Sequence, residues 1–231
     1  YGDHRDLHRL IRRQRQMCIR DSLRTTIGGG FRAAAQHSQV LYALFAHVPG
    51  IKVVVPSTPY DAKGLLITAI RDDDFVMYFE HKKLYPIEGE VPDDPYTIPF
   101  GVADIKREGD DVTVVAMAYM VHEAMKAADE LAKEGISVEI VDPRTLAPLD
   151  TDTIVKSVEK TGRLVVVDED YIYFGATGEI ITRVVERGVP LKAPPKRVAT
   201  PRVPIPFSPT LEDEILPNKD KIKKAIKETM K

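Results

Sequence analysis

A single histidine, His37, stands in the run Ala35-Gln36-His37-Ser38-Gln39, shortly after Gly28-Gly29-Gly30. Imidazole titrates near neutrality, so it can donate or accept a proton in catalysis without a large pKa shift. Small and amide neighbours suggest a site more than a packing pattern. Read from these residues alone, a histidine that caps a helix or is satisfied within a loop is the commoner outcome. Ser38 and Gln39 are expected to position His37 through hydrogen bonds rather than to react. His47, in His47-Val48-Pro49-Gly50, reads as a structural turn residue. The six histidines are scattered without H-E-x-x-H or other helical ligand spacing, which disfavours a transition-metal site.

The three glycines lack the G-x-G-x-x-G spacing of a dinucleotide loop, and no credible strand precedes them in the pattern. Their expected role is to let backbone pass close to a ligand or a neighbour, because glycine tolerates positive φ. No Walker pattern occurs, so nucleotide hydrolysis is disfavoured. Asp142-Pro143-Arg144-Thr145-Leu146 and Asp168-Glu169 are expected just after strands, where α/β folds place ligands and where paired acids could serve as acid and base.

These residues need a scaffold, and 231 residues can bury one large core or two modest ones. With 43% hydrophobic residues the chain is not compositionally disordered. No apolar run approaches the ~20 residues needed to span a bilayer, and no signal-peptide pattern is present, so no membrane partner is expected. Cys18 is the only cysteine, which excludes an intramolecular disulfide and fits a cytoplasmic or organelle-matrix location. The formal charge of −2 hides an asymmetry: residues 1–24 carry seven arginines against three acids, +4, leaving −6 for the rest. That basic arm has few aromatics and no reading motif, so nucleic-acid binding is not expected.

The remainder alternates strand and helix signals. Strands are predicted at 52–56, 75–80, 112–118, 137–141, 164–167 and 196–199. Helices are predicted from Thr58 as N-cap to about Ile70, over 121–134 ending at Gly135, and over 151–160, 178–186 and 218–230. Four prolines and two glycines in 85–101 read as a linker between domains. Near-continuous apolar strands alternating with helices imply an α/β fold with a mainly parallel sheet covered on both faces.

Together with Pro56-Ser57-Thr58-Pro59-Tyr60-Asp61-Ala62-Lys63-Gly64 and Glu80-His81-Lys82, these motifs resemble the beta subunit of the thiamine-diphosphate-dependent component of 2-oxo-acid dehydrogenase complexes of the pyruvate, branched-chain and acetoin types. The resemblance runs from about Leu23 to the C-terminus, in the family order. It implies that 23–84 is the last part of a transketolase-like pyrimidine-binding domain, 85–99 a linker and 100–231 a complete transketolase C-terminal-type domain. It implies that His37 faces the reactive end of the cofactor and handles the 2-oxo acid and acyl transfer to lipoamide. It also implies a potassium ion held by the main-chain oxygens of Ala69, Ile70 and Asp72 and by residue 74, where Asp74 replaces the family's common Asn.

Thiamine diphosphate with magnesium is expected mainly on an alpha subunit and on a segment outside this sequence, so no cofactor-binding residue is assigned here. A second beta subunit and a lipoyl acyltransferase core are the other expected partners, and Asp142–Leu146 and Asp168-Glu169 then read as structural or interfacial. Residues 1–22 match nothing in the family pattern and read as foreign sequence joined to a shortened gene, the alternative being a frayed helix on a genuine N-terminus. A shortened pyrimidine-binding domain would be inactive alone and would expose apolar surface around Phe45, Val53–Val55 and Phe79. Two other readings compete: a non-catalytic assembly module, and another transketolase-like thiamine-diphosphate enzyme, against which the intact motifs at 35–39 and 56–59 argue.

Residues 100–231, expressed alone, are expected to unfold cooperatively as a domain of common size, ~100–150 residues. Thermal unfolding followed by circular dichroism checks this, and a non-cooperative melt would refute the boundary.

Overall fold

The computed structural model describes residues 21–231. Most of the basic arm, with Cys18, therefore lies outside the described residues. Two sheets organise the rest. The first has four strands, β1 (Ser22–Ile27), β2 (Lys52–Val54), β3 (Val76–His81) and β7 (Thr145–Ala147), in the order β1-β3-β2-β7. Its first three strands are parallel, and β7 joins antiparallel beside β2.

The second sheet has five strands: β4 (Asp104–Arg107), β5 (Val112–Ala116), β6 (Val138–Asp142), β8 (Leu164–Tyr171) and β9 (Lys196–Thr200). Their order is β4-β6-β5-β8-β9, parallel except for the edge strand β4. The expected α/β class with mainly parallel sheets is thus observed.

Side-chain alternation along the central strands explains the layers. Val114, Ala116, Val165 and Val167 face helices α4 (Met120–Ala132) and α8 (Lys219–Thr229), meeting Leu131, Ile222 and Ile226. Val115, Leu164 and Val166 face the other way, against Ile154 and Val158 of α5 (Thr151–Thr161) and Ile180 and Val184 of α6 (Ala176–Glu186). With both faces covered, every residue of β5 is buried, which is why the strand is uniformly apolar apart from Thr113. Thr113 satisfies its hydroxyl with Ser157 and Thr161, at 2.7 and 2.8 Å.

In the first sheet, α3 (Pro59–Arg71) starts as its sequence dictates. Thr58 accepts the Asp61 N–H at 3.1 Å, and Pro59 occupies the first turn. Residues 96–100 do not hang as a free tether: Ile98 is buried beside Leu65, and its N–H donates to the Gly64 carbonyl at 3.3 Å. A Cβ at Gly64 would meet Ile98 Cγ1 at 2.6 Å, so this helix position requires glycine.

Several expectations are corrected. A strand does precede the glycine run: β1 enters it, and it includes Ser22, the last residue of the arm set apart above. Its pattern, mostly exposed and polar, hid it because an edge strand is held by backbone bonds to β3 rather than by an apolar face. The short strands β4 and β7 and the helices α1 (Ala35–Ser38), α2 (Tyr42–Ala46) and α7 (Pro209–Ile215) also escaped prediction. Asp142 and Asp168-Glu169 lie within strands β6 and β8, not after them. Val53–Val55 and Phe79 are buried, not exposed, since α2, α3 and residues of the second sheet's helices cover them. Exposed apolar residues here include Leu23, Phe31, Leu41, Leu44 and Ile70 instead.

Ile226→Ala is expected to destabilise the fold by about 2–5 kcal/mol, the cost of emptying a closed core position. Urea unfolding of the variant beside the parent measures it.

Candidate active site

β1 delivers the glycine run to the seam between the sheets. Gly28 and Gly30 adopt φ of 95° and 84°, and a Cβ on Gly28 would collide with the His81 imidazole. The run is no phosphate cradle, because two of its three N–H groups are taken by carboxylates. Gly29 donates to Glu169 Oε1 at 2.5 Å and Gly30 to Glu212 Oε1 at 2.7 Å. Glu169 comes from β8 and Glu212 from α7, both buried, so the second sheet's side of the molecule holds the loop.

The segment continues under strain. Arg32 and Ala34 take φ of 58° and 59°, in the left-handed region that side-chain-bearing residues rarely occupy. Arg32 is tied down by Glu212 at 2.7 Å and Asp213 at 2.8 Å. α1 follows and carries His37.

His37 is exposed and lines a cavity of about 680 Å³, with Ile27, Phe31, Phe45 and Phe79 as apolar wall and Lys82 beside it. The Lys82 ammonium donates to the His37 carbonyl. Burial lowers the Lys82 pKa, against the opposing charges of Glu169 and Glu212. The expected support from Ser38 is not found: its hydroxyl is buried and has no hydrogen-bond partner among the described residues. Position is supplied instead by Lys82 and by the carboxylates that grip the preceding loop.

His81, at the end of β3, ties the same seam. Its Nε2 lies 2.8 Å from Glu169 Oε2, and its Nδ1 accepts the Lys83 N–H at 3.2 Å, which assigns the ring proton to Nε2. The ring stacks on Tyr119, to which Lys83 adds a cation–π contact at 4.5 Å. Burial pushes the Glu169 carboxyl up, but His81 and the Gly29 N–H outweigh it and leave it below its ordinary range. Asp168 behaves oppositely: burial and the neighbouring Asp170 raise it, and Tyr42 of α2 donates its hydroxyl to it.

A second cluster braces the sheets further along. Lys106 pairs with Asp61 at 2.6 Å and Asp104 at 2.7 Å, and Arg144 pairs with the same two at 2.7 and 3.0 Å. Asp142 accepts from the Ser57 hydroxyl and from the Arg144 N–H. Burial raises its pKa to about 6 despite the nearby Lys106 charge.

The expected potassium residues lie elsewhere. Ala69, Ile70, Asp72 and Asp74 sit at the C-terminal end of α3, beside Ser22. β1 separates that end from the glycine run, roughly 16 Å at the usual strand rise. The Ala69 carbonyl accepts from the Ser22 hydroxyl at 2.9 Å and the Asp72 N–H at 3.3 Å. The Asp72 and Asp74 carboxylates pair with Lys52 at 2.7 and 3.0 Å. The structure therefore keeps these four residues together and away from His37. Sequence reasoning assigned no role to Lys82, Glu169 or Glu212 at the His37 site. Lys82 stood inside a quoted motif, but no local signal links Glu212 to a glycine 182 residues earlier.

Comparison with known proteins places both halves of the chain. Residues 5–88 match the transketolase pyrimidine-binding domain, and residues 101–222 match the transketolase C-terminal domain. The chain is 56% identical, over 90% of its length, to the acetoin:2,6-dichlorophenolindophenol oxidoreductase subunit beta of Cupriavidus necator, covering 62% of that protein. It is 51% identical over 85% of its length to the pyruvate dehydrogenase E1 component subunit beta of Bacillus subtilis, covering 61%. With the 2-oxoisovalerate dehydrogenase subunit beta of the same organism it shares 47% over 89%, covering 64%. The chain thus spans about three fifths of the length of these curated relatives. A split-gene transketolase described as an inactive beta4 tetramer superposes with a TM-score of 0.74 at 25% identity, over 90% of this chain and 66% of that one.

The buried Asp142 generates a pH prediction. Its pKa in the fold, about 6, exceeds that of an unfolded aspartate, so the folded state holds its proton over the intervening range. This group's contribution to stability therefore falls as pH rises through that range to about 6. Asp142→Asn should remove the dependence, gaining on the parent between pH 4 and pH 7 in urea unfolding; parallel pH profiles would contradict the assignment.

Proposed function

We propose a function from one premise: the chain belongs to the transketolase family, as a relative of the beta subunits of 2-oxo-acid dehydrogenases. On that premise it supplies the beta-subunit side of an enzyme that oxidatively decarboxylates a 2-oxo acid such as pyruvate and passes the acyl unit to lipoamide. The observation that carries this reading is His37, presented on a strained, clamped loop to an open cavity. A solvent-reachable imidazole held by its backbone is free to move a proton to or from a bound carbonyl or thiol.

The family implies thiamine diphosphate, and the cavity suits a flat heteroaromatic group, with Ile27, Phe31, Phe45 and Phe79 forming its apolar wall and His37 its polar edge. When bound, the cofactor supplies an ionisable thiazolium carbon and an electron sink for decarboxylation. This chain's residues would shape the apolar wall and keep a proton donor and acceptor at the reacting carbonyl. Magnesium and the diphosphate are assigned to an alpha subunit, and a second beta subunit and a lipoyl acyltransferase core complete the proposed partners. A potassium ion is assigned to the carbonyls of Ala69, Ile70 and Asp72 together with Asp74. Oxygen donors at a helix C-terminus suit a hard monovalent cation, and the single charge of Lys52 offsets only one of the two carboxylates it pairs with.

In the enzyme assembled with its alpha subunit, His37→Ala should lower acyl transfer to lipoamide about 10²–10⁴-fold, the usual worth of a proton-transfer group. Because His37 is exposed, its removal should barely change the melting temperature. Full acyl transfer by the variant would make the histidine structural and defeat this reading.

A further inference from the structure

On the reading of His37 as the catalytic imidazole, we infer that Glu212 is a positioning residue for it, acting through Gly30 and Arg32. Glu212 lies on α7, 175 residues beyond His37 in sequence order and outside the His37 motif. Its carboxylate is fully buried, yet both oxygens are used on one loop. Oε1 accepts the Gly30 N–H at 2.7 Å, and Oε2 accepts Arg32 Nη1 at 2.7 Å. Asp213 adds a contact to Arg32 Nη2 at 2.8 Å. The approach is close, since a Cβ on Gly29 would meet Glu212 Oε1 at 3.2 Å and Leu216 at 2.9 Å.

The loop needs this grip. Gly30, Arg32 and Ala34 all take positive φ within five residues, and two of them carry side chains. Backbone of that kind persists only where surrounding contacts over-determine it. Ala34 opens α1, and its carbonyl accepts the His37 N–H at 3.3 Å, so the conformation fixed at 30–34 sets where the imidazole emerges. Lys82 holds the His37 carbonyl from the first sheet. Glu212 holds the loop from the opposite side, so α7 belongs to the catalytic apparatus rather than to assembly alone.

The test compares Glu212→Ala, Glu212→Gln and Arg32→Gln by hydrogen exchange across 28–39 and by kcat and KM in the assembled enzyme. Removing a charge-assisted hydrogen bond should speed exchange of that segment about tenfold or more. Exchange in β5 and β8 should be unchanged. Misplacing a reacting group should lower kcat, by up to about 10²-fold, with KM nearly constant. Glu212→Gln, which keeps an acceptor for Gly30, should recover part of the loss. If Glu212→Ala does not fold, Arg32→Gln removes the ion pair from a half-exposed side chain and carries the same comparison. Unchanged exchange at 28–39, or faster exchange with unchanged kcat, would overturn the inference. His37→Ala run in parallel separates the two claims: if it retains full turnover, the catalytic reading fails, while exchange still decides whether Glu212 orders the loop.

Discussion

A backbone N–H that turns inward must find an acceptor, and at the seam of this molecule the acceptors are buried carboxylates from far along the chain. Gly29 bonds Glu169 and Gly30 bonds Glu212. Leaving either group unmet would cost roughly 1–3 kcal/mol, more with a charge involved. The two carboxylates are in turn tolerable in the interior only because they are paired: Glu169 with His81, Glu212 with Arg32. Loop, strand end and α7 therefore specify one another. Removing one partner strands the others, which is why this contact carries more of the architecture than its few atoms suggest.

The same seam explains how two sheets act as one scaffold. β7 leaves the second sheet's chain segment to pair with β2, and Lys106 and Arg144 share Asp61 and Asp104 across the junction. Tyr42, four residues after Ser38, reaches Asp168 on β8. The cavity wall is thus built mainly by the first sheet and held in register by the second.

What the sequence made legible was local. The near-continuous apolar runs at 112–118 and 164–167 announced strands buried on both faces, and Thr58-Pro59 announced a helix start. Gly135 marked a helix end, and it takes positive φ there, as glycine allows. His37 was found from its motif. What stayed hidden depended on distant partners. β1 is polar because an edge strand facing solvent needs no apolar face, so its pattern resembled a loop. The glycines signalled a close approach of backbone to a ligand or a neighbour, but nothing local named Glu169 and Glu212 as those neighbours. Ser38, beside His37 in sequence, contributes no visible hydrogen bond, while Lys82 and Glu212, remote in sequence, hold the segment.

The account stands most directly on the amide protons of Gly29 and Gly30. Heteronuclear NMR of the uniformly labelled chain reads both their chemical shift and their exchange with solvent. Short bonds to carboxylates predict strong downfield shifts and marked protection for these two amides, against the ordinary values of a glycine loop. Random-coil shifts with rapid exchange would show that the carboxylates do not hold the loop, and would contradict the central claim that Glu169 of β8 and Glu212 of α7 position the His37 segment.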